Sequence, residues 1–179
     1  MFRIAYYPIM RSFTSLAVGI FLLFSADGTR ADDTPDIRAS ESAALTFEDL
    51  NGKTLSLHEF AGKVVVINLW ASWCEPCIAE MASLAALQKE LKGQGLVVLA
   101  LSEDDNPKDA ITFYKSKSIT ELTPYFDKGH FVWRGLHAPG IPTSVIINQN
   151  GVIIKTLVGT VDWQSVEVAN VISGLLHHL

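Results

Sequence analysis

The stretch that most constrains this chain is a change of periodicity around two cysteines. Val64-Val65-Val66-Ile67-Asn68-Leu69-Trp70 is β-branched and almost wholly apolar, the pattern of a strand buried on both faces. Beyond it Ile78, Met81, Leu84, Leu87 and Leu91 recur at helical spacing. Trp73-Cys74-Glu75-Pro76-Cys77 sits at the junction and holds both cysteines of the 179-residue chain. Cys74 therefore falls at a helix N-terminus, where unpaired N–H groups and the macrodipole favour a thiolate. Cys77 follows one turn on, within disulfide reach. A chain that places its only thiols there is built to exchange a disulfide.

Other uses of the pair fit less well. A structural zinc site needs four Cys or His ligands, and His58, His130, His137, His177 and His178 do not supply a spaced pair. Attached haem needs a histidine directly after the second cysteine, where this chain has Ile78. A purely structural bridge would close a very short loop, and the stabilisation from a crosslink grows with loop length. No metal and no cofactor beyond the disulfide itself is expected.

The first 26 residues carry Arg3, Arg11 and no acidic group, and Ser12 to Ala26 is uncharged. That run is short for a spanning helix, which needs about 20 apolar residues, and suits a secretory signal. A retained membrane anchor is the alternative, since residues 4–10 are also largely apolar. Either way the remainder is exported, where a disulfide persists. Removing residues 1–26 moves the formal charge from −5 to −7, so no basic nucleic-acid footprint is present. Residues 27–44 read as a polar linker and residues 45–179 as one domain.

Within that domain Asn51-Gly52 predicts a hairpin, and Asn150-Gly151 a second one ending at Val158. Residues 96–101 form a second buried strand, reached by a right-handed parallel crossover. Glu103-Asp104-Asp105 reads as a solvated loop and helix cap, with a partner-docking patch as the sharper alternative. A helix is expected from Pro107 to Ser116, a short strand near Leu122 to Phe126 and a short helix at Phe131 to Leu136. The last helix is expected from Asp162, its N-cap, to Leu176.

Asn68-Leu69-Trp70-Ala71-Ser72-Trp73-Cys74-Glu75-Pro76-Cys77, followed by Gly140-Ile141-Pro142-Thr143, resembles the thioredoxin superfamily. The leading hairpin and the insertion between Leu101 and Gly140 make it similar to the exported TlpA/ResA/CcmG-type branch. The resemblance implies an α/β fold, a thioredoxin-like three-layer sandwich with a central mixed sheet flanked by helices. It also implies an N-terminal β-hairpin and a central insertion.

The same resemblance implies site roles. Pro142 is expected cis, with Ile141 offering its backbone to the substrate. Cys74 is the exposed nucleophile and Cys77 resolves the mixed disulfide. Trp73 is expected to shield the site, and Glu75 and Pro76 to tune its redox poise. Asn68 replaces an aspartate common in cytoplasmic thioredoxins and cannot carry a proton. Glu80, one helical turn after Cys77, is expected to be partly buried, with a raised pKa, and to shuttle protons.

Carboxylates at Glu75 and Glu80 disfavour a thiolate and so favour electron donation. A disulfide reductase acting on protein disulfides is the expected function, with an oxidase or isomerase, or a metal chaperone, as alternatives. No Gly-x-Gly-x-x-Gly motif occurs, so electrons must come by thiol exchange. The resemblance implies a membrane donor of the DsbD/CcdA kind, and clients such as apocytochrome c or metal-site cysteines.

Overall fold

The computed structural model describes residues 44–177, so the signal or anchor, nearly all of the linker and His178 lie outside the described residues. Seven strands form one mixed sheet: β1 (Thr46–Glu48), β2 (Thr54–Ser56), β3 (Val64–Trp70), β4 (Leu96–Ser102), β5 (Tyr125–Phe126), β6 (Thr143–Ile147) and β7 (Ile153–Val158). Their order across the sheet is β2-β1-β5-β4-β3-β6-β7. The helices are α1 (Glu75–Glu90), α2 (Pro107–Ser116), α3 (Phe131–Gly135) and α4 (Val166–Leu176), with a 3-10 turn at Leu57–Phe60.

β3 is central because every one of its residues is buried, and only apolar neighbours on both faces accommodate such a run. It pairs in parallel with β4 through α1, and antiparallel with β6. Alternation then splits its side chains. Val64, Val66 and Trp70 join Met81, Leu84, Phe113, Val168 and Ile172 on the face covered by α1, α2 and α4. Val65, Ile67 and Leu69 face Phe47, Leu57, Val132 and Leu136 from the hairpin, the 3-10 turn and α3. Three layers result, as the α/β sandwich requires.

Both Asn-Gly hairpins form, with Gly52 and Gly151 at positive φ of 74° and 79°. The expected insertion is present as α2, β5 and α3. Gly135 closes α3 against the hairpin, since a Cβ there would meet Leu45 Cδ2 at 2.3 Å.

Two expectations are corrected. The last helix starts at Val166 with Ser165 as its N-cap, its hydroxyl accepting the Val168 N–H. Asp162 instead accepts from Gln164 and Ser165 and forms a separate turn that buries Trp163. The Glu103-Asp104-Asp105 run is not wholly solvated: Glu103 is buried, and Asn106 caps α2.

Candidate active site

Cys74 is the N-cap of α1, and its Sγ accepts the Cys77 N–H at 3.3 Å. Pro76 occupies the first turn, where its missing N–H leaves no bond unmade. The two cysteines are joined as a disulfide with Cα atoms 5.2 Å apart. Cys77 is sealed, whereas Cys74 keeps 6 % exposure. The expectation of an open Cys74 is therefore corrected in degree. Its sulfur is the outer one, yet it belongs to the helix-side cluster against which Ile141 packs. Trp73, next to Cys74, is 69 % exposed. Glu75 is exposed as well.

The Ile141–Pro142 peptide is cis. Pro142 is buried, its carbonyl accepts the Gly159 N–H at 2.9 Å, and the Thr143 hydroxyl donates to Gly140 O at 2.6 Å. Ile141 N–H and C=O take part in no hydrogen bond among the described residues, which leaves both free for an incoming backbone.

Glu80 lies one turn beyond Cys77 and is 1 % exposed. Its Oε1 accepts from Asn68 Nδ2 at 2.7 Å and its Oε2 from Val161 N at 2.7 Å. Asn68 reaches Ser144 Oγ with the same amide at 2.9 Å, because register sets the two opposite each other on β3 and β6. Burial pushes the Glu80 carboxyl above the usual range, while the Val161 N–H, the Asn68 amide and the nearby Trp163 indole pull it back. The Trp163 N–H itself closes no hydrogen bond.

Asn68 reads from sequence only as a group unable to carry a proton; its partner Ser144, and the Glu80 neighbours Val161 and Trp163, were missed. The β7–α4 loop touches three parts of the site: Gly159 binds Pro142, Thr160 Oγ1 reaches Pro76 O at 3.3 Å, and Val161 binds Glu80. No periodicity marks such a loop. Asp104 was also missed. Its carboxylate accepts the Ser72 N–H at 3.1 Å and the Ser72 and Ser102 hydroxyls at 2.7 and 2.8 Å, fixing the backbone just before Trp73 and Cys74.

A family pattern described as Redoxin matches residues 30–173. The chain belongs to that family. This Redoxin chain is 31% identical over 121 residues to the thiol-disulfide oxidoreductase ResA of Bacillus subtilis, covering 68% of itself and 67% of that protein. The ResA of Halalkalibacterium halodurans is 32% identical over 131 residues, 73% of this chain and 74% of its own. Among solved structures, a Chlorobium tepidum protein assigned as a thiol:disulfide interchange protein DsbE gives a TM-score of 0.67 at 27% identity. The match covers 80% of this chain and 94% of that one. StoA of Bacillus subtilis, at 22% identity and a TM-score of 0.58 over 68% and 91% of the two chains, shows the shared fold. The Redoxin chain is thus a ResA-like member of the thioredoxin superfamily and, with its Cys74–Cys77 pair, a thiol–disulfide oxidoreductase.

Proposed function

We propose that this protein is an exported disulfide reductase that supplies electrons to protein disulfides outside the cytoplasm. The observation that carries the reading is the buried carboxyl of Glu80 one turn from Cys77, beside a cis-proline loop with free backbone groups. In the reduced enzyme the Cys74 thiolate attacks a client sulfur, the client disulfide breaks, and a Cys74–client mixed disulfide forms. Cys77 then loses its proton and attacks Cys74 Sγ, releasing the client as a dithiol and regenerating the internal bridge. Two electrons pass to the client, which takes up two protons.

Cys77 is sealed from water, so its proton needs a carrier within the protein. Glu80 is placed to take it, since a raised pKa lets the carboxyl hold a proton nearer neutral pH. Asn68 and Val161 stabilise its charged form, which lets it give the proton up again. Ile141 would pair with the client backbone, Pro142 shapes that approach, and exposed Trp73 offers the client an apolar contact.

The electron donor in this reading is a membrane thiol protein of the DsbD/CcdA kind. Apocytochrome c or metal-site cysteines are fitting clients. Export rests on the first 26 residues and on the extracytoplasmic setting of the ResA-like branch. Among the described residues no helix is long and apolar enough to cross a membrane.

The test is a pair of variants. Cys77→Ser accumulates mixed disulfides with clients, and Cys74→Ser traps none and loses insulin reduction. Trapping through Cys77 in the Cys74→Ser protein would overturn the assignment.

A further inference from the structure

We propose that the cavity between the β4–α2 loop and the β5–α3 connection is a subsite for a lysine or arginine side chain of the client polypeptide. The proposal rests on the reading that clients are disulfide-bearing proteins, and adds what else the enzyme recognises in them.

The cavity holds about 240 Å³ and is lined by Glu48, Glu103, Asp104, Asp105 and Asp127, with Lys128 and His130 also on its wall. The Glu103 side chain is 1 % exposed. Its Oε2 lies 2.6 Å from His130 Nδ1, but its sealed Oε1 receives no N–H or O–H from the protein. Also near it are the carboxylates of Asp104 and of Asp127, the latter with its two oxygens held by the Val132 and Trp133 N–H groups at 2.9 and 2.8 Å. Two carboxyl groups that face each other with no donor between them call for a positive charge.

A proton meets that need. Burial first, then Asp127 and Asp104, push the Glu103 carboxyl up to about 9. The opposing cation on the wall, Lys128, is paired with Glu48 at 3.6 Å and is itself 76% exposed. An ammonium or guanidinium group would replace the proton and make charge-assisted hydrogen bonds with the acids. A metal ion is a poorer fit, because no group of three or more potential ligands among the described residues is arranged to hold one.

Position makes the occupant part of a client. Asp104 lines the cavity and also binds Ser72, two residues before Cys74. Anything seated there lies beside the loop that presents Trp73 and the outer sulfur.

The groups facing Glu103 are Asp104 on its own loop, and Asp127 and His130 on the β5–α3 connection, with Asp105, Glu48 and Lys128 further along the wall. Burial and the facing acids hold the Glu103 carboxyl protonated at neutral pH. Seating a cation therefore expels a proton, and affinity rises with pH up to about 9.

The experiment titrates the oxidised full-length protein with short peptides whose cysteines are replaced by serine. Lysine is placed at successive positions and each peptide is compared with its norleucine counterpart. The best-placed lysine should bind about tenfold more tightly at low salt, the gain of one charge-assisted hydrogen bond, and the ratio should grow with pH. Glu103→Gln should cut the ratio below about threefold and abolish its pH dependence, and exposed Asp105→Asn should lower it by about twofold. Equal binding of lysine and norleucine at every position, or a ratio unchanged in Glu103→Gln, would overturn the proposal. No sulfur exchange occurs in this assay, so the result stands apart from whether the enzyme is a reductase.

Discussion

Glu80 and Glu103 are both buried, both belong to segments that position the Cys74 loop, and both have carboxyls pushed upward by burial. Their neighbours set them apart. Glu80 meets N–H groups from Asn68 and Val161, which offset part of its desolvation. Glu103 meets Asp127 and Asp104, which add to it. The first carboxyl is thus pushed up by burial and pulled back by its donors, whereas burial and both facing acids push the second the same way. Burial alone assigns neither role; the groups facing each acid decide.

The largest effect that can break this contrast is kinetic. Glu80→Gln should slow disulfide reduction by about a hundredfold at neutral pH and shift the thiol titrations. Glu103→Gln should leave those titrations where they are. Thiol titrations read by alkylation across pH check both, and equal shifts in the two variants would erase the distinction.

Stability sharpens it next. A carboxyl raised in the folded state binds its proton more tightly there, while the unfolded chain ionises near the ordinary value of 4.5. The contribution of Glu103 to stability is thus full below about pH 4.5 and is lost as pH rises through the folded value of about 9. Glu103→Gln removes that decline, and at pH 7 the gain reaches at most about 3 kcal/mol. Thermal unfolding at several pH values measures it, and a variant curve parallel to the wild type would contradict the assignment.

Asn68→Ala tests the Glu80 side from its partner. Losing the amide donor should raise the Glu80 carboxyl further and move the kinetic pH profile upward by about one unit. An unmoved profile would show that Asn68 only fills space. The smallest effect belongs to a residue outside both pairs: Trp73→Ala should raise KM for protein substrates about threefold with kcat unchanged. Its exposure means thermal stability should stay within about 0.5 kcal/mol.

Much of this was legible in residue order, and the reason is locality. The buried run at β3, the Pro at the first turn of α1 and both Asn-Gly turns are set by neighbours in sequence, and each element lies where periodicity put it. Glu80 was legible because one helical turn separates it from Cys77. Ser144, Val161 and Asp104 were not, since strand register and loop closure bring them 76, 81 and 32 residues to their partners. The acidic run after β4 misled for the same reason. Nothing adjacent shows that α3 and its preceding turn fold over Glu103, so a charged triplet reads as solvated.

A site that donates electrons requires a low reduction potential at the Cys74–Cys77 pair. Equilibration of the purified protein with glutathione or thioredoxin buffers should give a value toward the thioredoxin end, roughly −270 mV. A value near roughly −120 mV, where DsbA lies, would make the protein an oxidant and contradict that requirement.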